Sequence, residues 1–188
     1  CGTCYEVCRA NAIQYDQEDS ETTLRVGSII LAPGFESFDA RLKSEYGYGR
    51  FANVVTSIEF ERILSASGPY GGLVLRPSDG EIPKKVAFIQ CVGSRDFQLG
   101  NNYCSAACCM YGMKEAVIAK EHEREIKPTI FFMDMRTFGK GFEDLYMRSK
   151  EVGVKYIRGL PGEVKENPGT KSLNLFVENT TTGRLEQH

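Results

Sequence analysis

"KKVAFIQCVGSRDFQLGNNYCSAACCMYGMKEAVIAKEHE", residues 84–123, sets the architecture of the chain. Its first segment, 84–92, is apolar and reads as a buried strand. From Cys104 onward the composition turns to Ala, Met and Lys, and 104–123 reads as a helix. Further along, "KPTIFFMDM" (127–135) is a second buried strand. "FEDLYMRSKEVG" (142–153) is a helix stopped by Gly153 at the position after its cap. "VKYIRG" (154–159) is a third strand. Strand, helix, strand, helix, strand makes a βαβαβ unit, for which a parallel sheet with helical crossovers is expected. "SLNLFVENTTTGRLEQH" (172–188) reads as a C-terminal hairpin.

Upstream, Val26–Leu31 reads as a buried strand stopped by Pro33-Gly34. "SIEFERILSAS" (57–67) reads as a short helix with Ser57 as its cap. The Gly- and Pro-rich stretch 68–83 is expected to be loop. The divisions expected from this pass are 1–20, 21–83 and 84–188.

Composition excludes several classes. A net charge of −2 over 188 residues gives no electrostatic reason to expect nucleic acid. No apolar run approaches the length of a membrane span. The chain opens on Cys1, within what reads as a motif and without a secretory signal, and is expected to be an excised piece of a longer protein. Seven cysteines, an odd number and clustered, point to metal or redox use in a cytoplasmic chain rather than to a disulfide framework.

Four of the seven follow the spacing C-x12-C-x3-C-C: Cys91, Cys104, Cys108 and Cys109. Cys91 ends the first strand, and Cys104 lies at or just before the helix. Ligands bind at such crossovers because backbone N–H groups and the helix dipole converge there. A glycine fingerprint for phosphate is missing: "IQCVGSRD" has one glycine, Gly93. On a helix, Cys104 and Cys108 would share a face, with Cys109 roughly 100° further round. Convergence then requires the loop 93–103 to fold Cys91 back over the helix start. Four thiolates there fit an iron–sulfur cluster or a structural zinc. Zinc sites usually carry C-x2-C knuckles, and an adjacent pair sits awkwardly around one small ion. The third reading makes Cys108 or Cys109 a small buried apolar residue.

"CGTCYEVCR" adds C-x2-C-x3-C at Cys1, Cys4 and Cys8. These match the second to fourth cysteines of the bacterial ferredoxin run, with Arg9 where proline is usual. "VGSIILAPG" is similar to a flavoprotein strand and turn, with Pro33 at a threonine position and Ala32 and Gly34 on either side.

Taken together, "SIILAPGFESFD", "EYGYG", "VTSIEFERILSASGP", "KKVAFIQCVGSRD", "YCSAACCMYGMKEA", "DMRTFGKGFEDLY" and "PGEV" resemble one family, the A subunits of CoB–CoM heterodisulfide reductase and their bacterial relatives. The resemblance covers nearly everything from Val26 onward. It implies a thioredoxin reductase-like flavin core, the 84–188 unit corresponding to the NAD(P)-binding domain. It also implies FAD in the whole protein, several 4Fe–4S clusters, and electron transfer with possible bifurcation at the flavin. Carried across, Cys91, Cys104, Cys108 and Cys109 would ligate one 4Fe–4S cluster, and Cys1, Cys4 and Cys8 would belong to an inserted ferredoxin module. Lys114 would lie near the flavin, while Arg136 and Lys140 would serve a cofactor, a partner or only solvent. Implied partners are other heterodisulfide reductase subunits, hydrogenase or ferredoxin-type carriers. The competing expectation is a non-catalytic α/β interaction domain stiffened by structural zinc.

Overall fold

The computed structural model describes all 188 residues as two units, Cys1–Glu36 and Ser37–His188. The first contains one short helix, α1 (Thr3–Val7), which Gly2 opens in the left-handed region at φ 90°. Residues 11–36 form no paired strand. The strand expected at Val26–Leu31 is therefore absent, with Ile29, Ile30 and Leu31 largely exposed. An apolar run records what a segment can bury, but a strand also needs a neighbour for its backbone N–H and C=O groups. None is paired to it within this chain.

The second unit begins with two 3₁₀ turns, Ala40–Leu42 and Ser44–Tyr46, and then α2 (Ser57–Leu64). Thr56, not Ser57, caps α2. Its hydroxyl faces the Glu59 amide at 3.4 Å, while the Glu59 carboxylate accepts the Thr56 amide at 2.7 Å. Ser57 instead turns inward. Replacing Thr56 by alanine removes one arm of this reciprocal cap and is expected to cost about 1 kcal/mol. Thermal unfolding checks it: an unchanged melting temperature would show the cap to be idle.

The βαβαβ unit follows as read: β1 (Lys85–Ile89), α3 (Cys108–His122), β2 (Lys127–Phe132), α4 (Phe142–Glu151) and β3 (Lys155–Arg158). The sheet is parallel with order β1-β2-β3, so β2 is central and β1 is an edge. This corrects the buried reading of 84–92, because an edge strand of a three-stranded sheet is only half covered. Gly153, at φ 93°, ends α4 as expected.

Beyond β3 the chain forms β4 (Pro161–Glu166), β5 (Leu173–Asn179) and β6 (Arg184–Gln187), an antiparallel sheet of order β4-β5-β6. The hairpin was expected and β4 was not. Successive residues of β2 point to opposite faces, and this builds three layers. Ile130 packs with Met113, Ala116, Val117 and Val154 on the helical side. Phe131 packs with Ile157, Val164, Leu175 and Val177 on the antiparallel side. A third cluster, Phe60, Ile63 and Leu64 with Ala119 and Ile126, docks α2 on α3. No helix is long and apolar enough to cross a membrane.

Candidate metal centre

The parallel sheet brings the carboxyl ends of β1 and β2 to one edge. β1 pairing extends one residue through the Gln90 amide, 3.0 Å from the Phe131 carbonyl, and Cys91 follows immediately. Cys91 sits in the left-handed region at φ 61°, and its carbonyl accepts the Ser94 amide at 3.2 Å to close a turn. Gly93 takes the third position of that turn at φ 74°, under the Phe38 ring. Only glycine adopts that backbone without strain. The next residues fold back as a small loop: Asp96 and Asn101 bridge, and the Arg95 amide donates to Tyr103 at 2.8 Å.

Cys104 follows in that loop, and α3 begins only at Cys108. The expected helix start at 104 is corrected, and with it the shared helical face for Cys104 and Cys108. Ala106 at φ 60° is incompatible with a right-handed helix, so the first turn cannot extend backward. The other two cysteines stand where the sequence put them, side by side at the head of α3 and both buried. Close approach makes this possible. A Cβ on Gly112 would lie 2.2 Å from the buried Gln90 amide, so the helix is seated against the end of β1.

Three of the four sulfurs meet. The thiols of Cys109 and Cys91 both donate to Cys108, and with the Ser105 hydroxyl they hold its thiolate down at about 2, against the opposing effect of burial. Cys91 and Cys109 are pushed up, first by that donation and then by burial. The backbone amide of Arg136, beyond the end of β2, donates to Cys109. The amide of Ala106 donates to Cys104 at 3.4 Å. Amide-to-sulfur hydrogen bonds of this kind suit a thiolate that carries charge in a buried place. No group of three His, Cys, Asp or Glu side chains is drawn together closely enough to hold a metal ion.

The remaining expected residues lie elsewhere. Cys1 and Cys4 are exposed in the first unit, on or beside α1. Cys8 accepts the Ala12 amide at 3.4 Å, and that amide and then Ala10 hold its thiol below its usual value. Ala32 and Gly34 are exposed, Gly34 at φ 77°. Lys114 is half exposed and paired at 2.8 Å with Glu61 of α2. Arg136 lies 3.7 Å from Asp134, and Lys140 is exposed. Sequence reasoning missed Arg95, Asp134 and Glu115. Glu115 is almost fully buried, accepts the Ser57 hydroxyl at 2.5 Å, and leaves Oε2 without a partner.

No family model matches the chain. Individual proteins do. It is 51% identical to the A subunit of the H2:CoB–CoM heterodisulfide, ferredoxin reductase of Methanothermobacter marburgensis, over 100% of this chain and 28% of that protein. It is 50% identical to the iron-sulfur A subunit of the CoB–CoM heterodisulfide reductase of Methanocaldococcus jannaschii, over 98% of this chain and 28% of that protein. The chain is homologous to a segment of the heterodisulfide reductase A subunits. The A subunit of a ferredoxin/F420H2-dependent heterodisulfide reductase of Methanosarcina acetivorans shares 43% identity over 100% of this chain and 24% of its own length. The chain thus spans about a quarter of the length of these heterodisulfide reductase subunits, which are all named as parts of oxidoreductases.

Proposed function

We propose that Cys91, Cys104, Cys108 and Cys109 hold a 4Fe–4S cluster that carries electrons within the A subunit of a heterodisulfide reductase. The meeting of Cys91, Cys108 and Cys109 at the β1–α3 crossover, with amide donors on their sulfurs, carries this reading. When bound, the cluster supplies one-electron transfer. The chain's own residues do three things for it. The turn through Gly93 brings Cys91 back over the helix, α3 fixes Cys108 and Cys109 in neighbouring directions, and the Arg136 and Ala106 amides balance thiolate charge.

In the whole protein the proposal extends to FAD, with Ala32 and Gly34 in its turn and Lys114 beside its ring. The support is the flavoprotein-like segment 26–34 and the lysine's place on the cysteine helix. A cation at Lys114 would stabilise an anionic reduced flavin. Residues 1–20 would end an inserted ferredoxin-like module, with Cys1, Cys4 and Cys8 among its ligands. The name of the Methanothermobacter marburgensis relative pairs one donor, H2, with two acceptors, the heterodisulfide and ferredoxin. Branching of electrons at the flavin, and partnership with hydrogenase- or ferredoxin-type carriers, are proposed on that basis.

The test is metal analysis of the full-length subunit purified without oxygen. Cys91→Ala and Cys108→Ala are each expected to lose about four iron and four sulfide relative to the parent. The low-temperature spin resonance signal of that cluster should go with them. Stoichiometric zinc at this site, or full iron content in both variants, would overturn the assignment.

A further inference from the structure

Arg95 lies in the loop between Cys91 and Cys104 and interacts with the charges of both. Its guanidinium acts on the sulfurs of Cys91 and Cys104. Its side chain is three-quarters covered, and it bonds to the carboxylate of Asp134, just past the end of β2. The other oxygen of Asp134 faces Arg136, whose amide donates to Cys109. Arg95 itself is held in the left-handed region at φ 57°, where its amide and the Ser94 hydroxyl both donate to the Tyr103 carbonyl. Asp96, beside it, is anchored at 3.0 Å by the nearly buried Lys43. As a strap the Arg95–Asp134 pair adds little, because half-exposed ion pairs contribute weakly to stability.

We infer that Arg95 and Asp134 form a charge couple that sets the reduction potential of the centre held by Cys91, Cys104, Cys108 and Cys109. The inference rests on the cluster reading. Reduction adds one electron, and so one negative charge, to a site already bearing thiolates. A fixed cation beside Cys91 and Cys104 favours that added charge, and the Asp134 carboxylate offsets part of the cation. Net charge and hydrogen bonding near the sulfurs are the ordinary determinants of such potentials. The two members of the couple therefore act with opposite sign. Arg95→Gln lowers the midpoint potential and Asp134→Asn raises it.

Full-length protein, purified anaerobically, is titrated potentiometrically while the spin resonance signal is followed. The relevant signal is the one that Cys108→Ala removes. Iron and sulfide are measured on every variant. The expected result is parent-like iron content with opposite shifts. Each shift changes the reduced-to-oxidised ratio at fixed potential at least threefold, about 28 mV at roughly 59 mV per tenfold for one electron. If Arg95→Gln loses iron, the upward shift in Asp134→Asn decides alone. Unshifted potentials, or shifts of one sign, with full iron overturn the charge couple and leave the cluster reading standing. A parent without iron at this site overturns both.

Discussion

Gly93→Ala lowers the stability of the Ser37–His188 unit by about 2–5 kcal/mol. Two independent costs add. Gly93 sits at φ 74°, where an L side chain loses roughly 1–2 kcal/mol. A new Cβ would also lie 2.1 Å from the Phe38 ring, and displacing a packed ring costs on the order of 1–3 kcal/mol. The change lands two residues after Cys91, so the turn that returns this thiol to Cys108 is what gives way. Thermal unfolding measures the first consequence, and iron retained by the full-length protein measures the second. Adding Phe38→Ala recovers only the steric part, which separates the two causes. A variant that melts with the parent and keeps its iron would mean that the turn is not what positions Cys91.

The other large effect concerns Glu115 and depends on pH. Burial raises its carboxyl to about 7 from an ordinary 4.5, with Glu61 adding to the rise and Ser57 and Lys114 opposing it. A carboxyl whose folded value is raised contributes fully below its unfolded value. That contribution is lost as pH climbs from about 4.5 through about 7. At roughly 1.4 kcal/mol per pH unit of displacement, the loss by pH 8 is on the order of 3 kcal/mol. For a unit of this size that is roughly 5–10 °C in melting temperature. Glu115→Gln keeps an acceptor for Ser57 and cannot ionise, so its melting temperature stays nearly level from pH 5 to 8 while the parent's falls. Parallel curves for the two proteins would show that Glu115 does not titrate in that window.

The βαβαβ unit was legible because each element announces itself locally: an apolar strand, a run of helix formers, a Gly after α4. β4 was not. "PGEVKE" opens on Pro and Gly and alternates charges, and it becomes a strand only because β5 lies alongside to pair with it. The reverse error occurred at Val26–Leu31, where local pattern is strong and no neighbour pairs with it. At the cysteine centre, four of the seven cysteines were singled out as candidate ligands by their spacing and by the family resemblance. The boundary at Cys104 was missed because helix propensity cannot register a single left-handed residue, Ala106. Arg95 and Asp134 lie 39 residues apart in separate loops. Neither has a periodicity or a fixed offset that would pair them before the sheet brings their loops together.

The head of α3 also has a consequence for motion. The helix carries much of the core, yet it starts at Ala107 with no capping side chain, and its leading amides belong to the cysteines themselves. Leading amides of an uncapped helix lack partners and open to solvent first. The Met110 amide already donates to the Ala107 carbonyl at 3.0 Å, so deuterium should enter at Cys108 and Cys109 well ahead of Ala116 and Ala119, which are wholly enclosed. Anything that engages the sulfurs closes that end. Slower exchange at Cys108 and Cys109 would then report, at the backbone, whatever binds their sulfurs.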